Sequence, residues 1–579
     1  MNAMDILKAV LLLFAGLGVF LIGLDIMGKN IETVAGDSLR SLFTKISDKK
    51  LLGIGTGCIT TILTQSSTAT TVMTVGFVNT GIMTLTQATT IIMGANIGTT
   101  VTAYLIALQN LPISAIFCSM ACVGAFMQMS KKENLKNLGL ILSGVGMLFV
   151  GLYVMSTSMS NVINITDSEG NKVIANIILK FSGDHFYLKL LLMIIGAILT
   201  AILHSSAATT SILIGLCSSG AMTLEPAFYV TLGMNIGTCL TAVVASLGQT
   251  TNAKRASMVH LLFNIIGTLI FGLILVIFGK QLIGLLNNLK LGTDEGTSIS
   301  MKIAIFHTVF NVTTTLLMYP FVKQLAQLAT LIVRDNKKKD NTQDTYSNNL
   351  VYLDDRILKT PSIAMLMLKK EIIRMGNLAN DNLQLAMEAI LTLDLSEEEL
   401  FKKRENHINF LNKEISKYLV NISHLDISFQ DEQIIASYYH VISDLERVGD
   451  YAENIMEYTH DLIKSHTDFS ENAKKQIARM HKAIQNQYSH IIDSFERQSL
   501  DDKAEIVGYE DLVDTLFTEL SNEHIIRLNN NECKIESASS YISLISNLER
   551  IGDHYMNVYN SMNQYVKAPT TVNASIVKD

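Results

Sequence analysis

The first 330 residues read as a series of apolar stretches separated by short polar loops. Long apolar segments fall near 6–28, 82–108, 112–129, 137–159, 222–247, 256–279 and 303–323. At roughly 20 residues per crossing, each predicts a membrane-spanning helix. Two further stretches, 52–78 and 190–217, are apolar but interrupted by Ser, Thr and Gly clusters. They predict hairpins or broken helices that enter the membrane without cleanly crossing it. From about 360 to 565 the pattern changes to long amphipathic helical periodicity with few Pro or Gly. The expected fold is all-α: a polytopic membrane part over 1–330, a polar linker over 331–358, a soluble helical domain over 359–566 and a tail over 567–579.

Charge respects the same boundary. Residues 1–334 hold 31 of the Asp, Glu, Lys and Arg side chains and residues 335–579 hold 66. None lies between Leu51 and Ser130, a run that hydrocarbon tolerates because it holds no charge to desolvate. The net charge of −7 comes from the helical tail and argues against a nucleic-acid partner. The six cysteines show neither metal-ligand spacing nor a disulfide framework. The first apolar stretch lacks a small-residue cleavage site after it, so a retained helix is expected.

The membrane part repeats internally. Residues 57–108 align with 196–247 without a gap, with 22 identities in 52 positions. The matches include Ser66/Ser205, Ser67/Ser206 and the stretch Asn96-Ile97-Gly98-Thr99 against Asn235-Ile236-Gly237-Thr238. Upstream, Gly16, Gly18, Gly23 and Met27 match Gly144, Gly146, Gly151 and Met155. Basic residues in short loops set orientation. Lys337-Lys338-Lys339 predicts a cytoplasmic C-terminal domain. Tracing back puts 281–300 outside, Lys254-Arg255 inside, 160–189 outside, Lys131-Lys132 inside and 29–51 inside. The N-terminus is then extracellular and the two copies are inverted, the usual plan of secondary transporters in a plasma membrane.

The repeated clusters, Thr64-Gln65-Ser66-Ser67-Thr68-Ala69-Thr70-Thr71 and Leu203-His204-Ser205-Ser206-Ala207-Ala208-Thr209-Thr210, carry the candidate chemistry. A helix broken there exposes N–H groups at the start of its second half, and these attract an anion. Hydroxyls and the Gln65 amide add donors. Two facing copies would surround one tetrahedral oxyanion. Thr and Asn oxygens suit a hard cation such as sodium, and the candidates are Thr64, Thr68, Thr70, Asn96, Thr99, Thr209, Asn235 and Thr238. With no basic side chain between 51 and 130 or between Lys189 and Lys254, a bound anion needs co-bound cations, so cation-coupled transport is expected. The alternative for each hydroxyl is a bond back to its own helix. Asn96 and Asn235 fit an interhelical hydrogen bond as well as a cation. The related pieces His260-x-x-Phe263-Asn264 and His307-x-x-Phe310-Asn311, placed near helix ends, read as packing or gating elements. Asp25 and Glu225 read as interfacial.

At these residues the sequence resembles the type II sodium-dependent phosphate cotransporter family, whose signature is a doubled Gln-Ser-Ser-Ser-like motif with an Asn-Ile-Gly-Thr stretch in each half. The resemblance covers about 5–325. It implies phosphate binding at Gln65, Ser66, Ser67, Ser205 and Ser206, with Thr68 and Ala207 in the third serine position. His204 stands where the family has Gln, which brings in a group that titrates near neutrality.

The soluble part is also duplicated: Ser443-Asp444-Leu445-Glu446-Arg447-Val448-Gly449-Asp450 matches Ser546-Asn547-Leu548-Glu549-Arg550-Ile551-Gly552-Asp553. Two three-helix bundles follow. Glu446/Asp450 and Glu549/Asp553, at i and i+4, share a helix face and fit either a metal or an exposed acidic stripe paired with Arg447 and Arg550. This half resembles the PhoU family of phosphate-signalling regulators. That resemblance implies metal clusters, of a divalent ion, iron or zinc, that also use Glu405, Glu510 and Asp514, with Asn409 breaking the acidic pattern. The function expected is sodium–phosphate symport modulated by the PhoU-like domain. Phosphate export, another oxyanion, and a non-transporting membrane sensor remain as readings. No catalytic constellation is present, so an enzyme is not expected. Phosphate, sodium and lipid are the expected partners, with a homodimer left open.

Overall fold

The computed structural model describes residues 3–44, 49–110, 114–163, 185–289, 295–334, 349–425, 427–530 and 533–566. Lys337-Lys338-Lys339, the linker over 335–348, loop residues 164–184 and the tail 567–579 lie outside the described residues. The chain divides into two compact units between Lys337 and Lys338, and every regular element among the described residues is a helix.

The membrane unit contains α1 (Ala3–Val34), α2 (Gly36–Thr44), α3 (Lys50–Thr64), α4 (Ser67–Asn79), α5 (Leu85–Ala107), α6 (Ser114–Gln128) and α7 (Glu133–Ile163). It continues with α8 (Phe186–Leu203), α9 (Ser206–Ser218), α10 (Leu224–Ser246), α11 (Thr251–Asn288), α12 (Glu295–Met318) and α13 (Val322–Ile332). Among the described residues seven stretches are long and apolar enough to cross a membrane. That set differs from the hydropathy reading in one exchange. Helix α6 has 15 described residues, about 22 Å at 1.5 Å per residue, short for a span, although it runs antiparallel to α7, with Gly124 on the Gly139 carbonyl and Gly146 on Ala121. Helix α8 has 18 and is apolar apart from Lys189 in its first turn and Thr200 in its last, because its polar cluster begins only where the helix stops. Exposed Phe14, Ile202 and Leu269 belong to an apolar outer surface of the kind that membrane helices present.

Glycines reveal the relative directions of the helices. A Cβ added to Gly16 would stand 2.9 Å from the Gly151 carbonyl, and one on Gly23 would stand 2.7 Å from that of Gly144. Residue 16 meets 151 and 23 meets 144, so α1 and α7 cross antiparallel at backbone contact. These two helices are repeat equivalents. Their opposed directions make the duplication inverted, independently of loop charge. Within each copy the geometry differs. The Ile54 carbonyl abuts Gly94 and the Cys58 carbonyl abuts Gly98, so α3 and α5 run parallel. The Met193 carbonyl against Gly233 and the Ala197 carbonyl against Gly237 repeat this for α8 and α10. Two parallel neighbours joined by one short helix require that helix to turn back. Thus α3–α4 and α8–α9 are re-entrant hairpins. Each inner arm packs against the other copy, α4 on α10 and α9 on α5.

The C-terminal unit holds α14 (Pro361–Thr392), α15 (Glu398–Ser423) and α16 (Phe429–Lys464), then α17 (Glu471–Arg497), α18 (Lys503–Asn529) and α19 (Ile535–Val566). These are the two expected three-helix bundles. Ser428 and Ser470 cap α16 and α17 by accepting the Asp431 and Ala473 amides. The bundles meet along α16 and α19, where Ser437 Oγ donates to the Ser561 carbonyl at 2.7 Å. Residues 349–358, read from sequence as linker, are strapped onto this unit. Fully buried Glu371 accepts the Val351 and Tyr352 amides at 3.1 and 2.5 Å, and Leu353 and Ile357 are buried beneath.

Candidate functional site

The two hairpin tips are built alike. Helix α3 stops at Thr64 because Gln65 takes the left-handed conformation (φ 51°), and α8 stops at Leu203 because His204 does the same (φ 50°). Extended backbone at Ser66 and Ser205 then starts the return helices. Ser66 Oγ accepts the Ala69 amide at 3.1 Å, and Ser205 Oγ accepts the Ala208 amide at 3.1 Å. The first amides of each return helix, Ser67-Thr68 and Ser206-Ala207, have no carbonyl a turn earlier to bond. They add to the positive end of the helix dipole. Below each tip one hydroxyl pair ties the arms: Thr61 Oγ1 to Thr70 Oγ1, and Thr200 Oγ1 to Thr209 Oγ1, both 3.0 Å. Thr61 and Thr200 were not singled out from sequence, although both fall among the repeat identities.

Gln65 and His204 reach the same neighbour in each copy. Thr102 Oγ1 donates to Gln65 Oε1 at 3.2 Å, and His204 Nδ1 lies 3.5 Å from Thr241 Oγ1. Gln65 Nε2 also donates to the Ile62 carbonyl at 2.6 Å. The carbonyl end of that amide is therefore held by α5, and one of its two N–H bonds remains for a ligand. Gln65, Ser66, Ser67 and Thr68 are half-buried, as are Ser205 and Ser206, while His204 is exposed.

The predicted cation residues separate into two groups. Thr64, Thr70, Thr99, Thr209 and Thr238 donate to carbonyls of their own segments, and Thr70 and Thr209 also accept from Thr61 and Thr200. Asn96 donates to the Ile92 carbonyl at 2.9 Å. Asn235 instead forms the interhelical link: its Nδ2 donates to Asn311 Oδ1 at 2.8 Å and its Oδ1 lies 3.0 Å from His307 Nε2. His307 and His260 are buried in the interior of α12 and α11, not near helix ends, because both helices begin earlier than their apolar cores.

Asp25 pairs with Lys29 at 2.8 Å on an exposed face, and Glu225 in the first turn of α10 pairs with Lys189 at 3.1 Å. Glu32, read from sequence as part of a loop, lies inside α1. It is buried, and its Oε1 has no hydrogen-bond partner. One turn earlier, a Cβ on Gly28 would stand 2.9 Å from the Thr64 carbonyl, so this stretch of α1 adjoins the first tip.

In the C-terminal unit, Asp514, Glu549 and Asp553 bring carboxylate oxygens within 4.8 Å of one another, an all-oxygen set that fits a hard divalent cation. Glu510 joins them electrostatically. Burial first, then Asp514 and Asp553, raise its pKa. The same order of causes, burial then neighbouring carboxylates, raises Glu549 and Asp553. The first copy differs. Glu405 is buried and accepts amide hydrogens from Asn409 at 3.2 Å and Asn382 at 3.4 Å. Burial, then the charges of Glu453, Asp450 and Glu446, push its pKa up to about 7. Asn409 therefore replaces a ligand with a donor, and Glu446 and Asp450 face an acid that tends to hold a proton. Glu453 and Asn382 were missed from sequence; Glu453 lies three residues after Asp450 and so on the same helix face.

This geometry defines a multi-pass membrane protein with two inverted re-entrant hairpin repeats, joined to a pair of three-helix bundles. Residues 19–157 and 177–291 match the Na+/Pi-cotransporter family model, and 372–459 and 477–562 match the PhoU domain model. The membrane unit is thus similar to Na+/Pi cotransporters and the C-terminal unit to PhoU domains. It is 24% identical to the "Putative inorganic phosphate export protein YjbB" of Salmonella typhimurium, over 93% of this chain and 94% of that one. Its C-terminal unit is similar to a PhoU homolog of Clostridium acetobutylicum, 27% identical over 34% of this chain and 88% of the relative. Human sodium-dependent phosphate transport protein 2B is 33% identical over 22% of this chain and 20% of its own. No solved structure matches the chain.

Proposed function

We propose that the chain moves inorganic phosphate together with sodium across the plasma membrane by alternating access of its two hairpin repeats, and that it is not an enzyme. The observation that carries this reading is the matched pair of left-handed breaks at Gln65 and His204, each followed by a serine-capped helix start. Phosphate is held by the amides and hydroxyls of Ser66, Ser67, Ser205 and Ser206, with Gln65 and His204 beside them. Sodium is held by hydroxyl and carbonyl oxygens around Thr64, Thr68, Thr70, Asn96, Thr99, Thr209, Asn235 and Thr238. It supplies the positive charge that a charge-free core lacks. The PhoU domains face the cytoplasm and modulate transport, with a divalent cation on Asp514, Glu549 and Asp553. Labelled-phosphate uptake into proteoliposomes tests the reading. A sodium gradient should drive uptake, and flux unchanged on replacing sodium with choline would refute the coupling. A second reading, net export, draws on the printed name of the nearly full-length Salmonella relative. Export from phosphate-loaded everted and right-side-out vesicles separates the two directions.

A further inference from the structure

In the second PhoU domain, α18 ends on two buried polar side chains that the bundle does not need. His524 and Arg527 are 2% and 5% exposed, and Tyr541 at the start of α19 is 1% exposed. Both ring nitrogens of His524 and Nε and Nη2 of Arg527 have no hydrogen-bond partner, and the Tyr541 hydroxyl lies beside the Arg527 guanidinium. The three side chains form one cluster. The His524 ring stacks on the Tyr541 ring at 4.3 Å between centroids, and the Arg527 guanidinium lies over that ring at 5.3 Å. Arg527 Nη1 is occupied, donating to Gln476 Oε1 at 3.0 Å, and Glu523 lies 3.6 Å from the same nitrogen. What remains free is the Nε–Nη2 edge, the fork that binds two oxygens of one oxyanion.

The first PhoU domain supplies an internal control. In the register that pairs Glu405 with Glu510, His524 and Arg527 correspond to Leu419 and Ile422. Both are fully buried. Apolar side chains therefore satisfy this position of the bundle. A buried guanidinium edge without an acceptor is costly, so its presence in one copy alone points to a ligand.

We propose that Arg527, Tyr541 and His524 form a site for one small oxyanion, a phosphate or a carboxylate, in the second PhoU domain. The guanidinium fork takes two ligand oxygens, the Tyr541 hydroxyl donates to the ligand, and neutral His524 donates one N–H. The site is distinct from the hairpin tips and does not depend on the transport reading. Because its donor atoms are closed to solvent, ligand entry requires the last turn of α18 to open, and binding then holds that turn shut.

Hydrogen-exchange mass spectrometry on the full chain in nanodiscs reads this directly. Inorganic phosphate in one arm, or succinate in the other, should slow amide exchange in peptides covering residues 520–545. The arm that protects names the ligand chemistry. Arg527→Lys, which keeps charge and loses the fork, should raise the half-saturating concentration by about tenfold or more. The pair His524→Leu/Arg527→Ile, copied from the first domain, should fold and lose the protection entirely. Ser66→Asp in the membrane unit should leave it unchanged. Absence of protection with both anions, protection retained in the His524→Leu/Arg527→Ile chain, or protection lost in Ser66→Asp would each overturn the proposal.

Discussion

Ser66 and Ser205 combine two roles that one set of substitutions can separate. Each hydroxyl caps a return helix, and each lies where an anion would meet free amides. Alanine removes the cap at a cost of about 1 kcal/mol, whereas glycine loses only a few tenths of a kcal/mol and aspartate caps as well as serine. Stability alone therefore ranks Ser66→Asp near the parent chain and Ser66→Ala below it. Phosphate reverses the order. A carboxylate about 5 Å from the anion, at an effective dielectric near 20, repels each unit of phosphate charge by about 3 kcal/mol. That raises KM by about two orders of magnitude or more. The same holds for Ser205→Asp, since the Ala208 amide stands at the same 3.1 Å as its counterpart Ala69. The assay is sodium-driven phosphate uptake in proteoliposomes, with thermal unfolding in detergent measured beside it. An aspartate variant that folds and transports with an unchanged KM would refute the anion role of the tips and leave the serines as caps.

Gly151→Leu should prevent accumulation of folded protein, because even a Cβ there would press on the Gly16 carbonyl at 2.7 Å; the check is detergent-extracted monodisperse yield, with Gly151→Ala intermediate. Glu405 has a folded-state pKa near 7, above its ordinary value of 4.5, so the folded chain binds more protons between those values. Stability of the C-terminal unit should fall as pH rises from about 4.5 to 7 and level off above, and Glu405→Gln should flatten the profile measured by calorimetry. Asp553→Asn should abolish binding of a divalent cation, read as bound metal per chain after dialysis, while Asp450→Asn in the first domain should not.

Much of this architecture was legible along the chain because the duplication doubled each signal. Ser66 and Ser205 could be singled out as break points since clusters sharing five of eight residues interrupt two otherwise apolar stretches, and the left-handed residues fall where Gln65 and His204 differ in chemistry but share position. Gly16, Gly23, Gly144 and Gly151 matched in the repeat, yet only folded geometry shows them meeting crosswise. Apolar length and helix length part at α6 and α8 because hydropathy does not register where a helix stops, while the hairpin expected over 190–217 is the re-entrant pair α8–α9. The partners of Asn235 lie 72 and 76 residues away on α12, and no local spacing announces such a contact. Glu371 holding residues 351 and 352 escaped for the same reason, since a polar strap has no periodicity to read. Glu32 escaped because α1 continues six residues past the apolar run that predicted it.

The central claim is that both tips serve one anion accompanied by sodium. Equilibrium binding of labelled phosphate to the purified His524→Leu/Arg527→Ile chain, with and without sodium, tests it most directly, because that background leaves only the tips to bind. One phosphate per chain should bind at the tips, its affinity should rise with sodium, and Ser66→Asp alone or Ser205→Asp alone should remove that binding completely. Half-occupancy remaining in each single variant, or an affinity indifferent to sodium, would contradict the account.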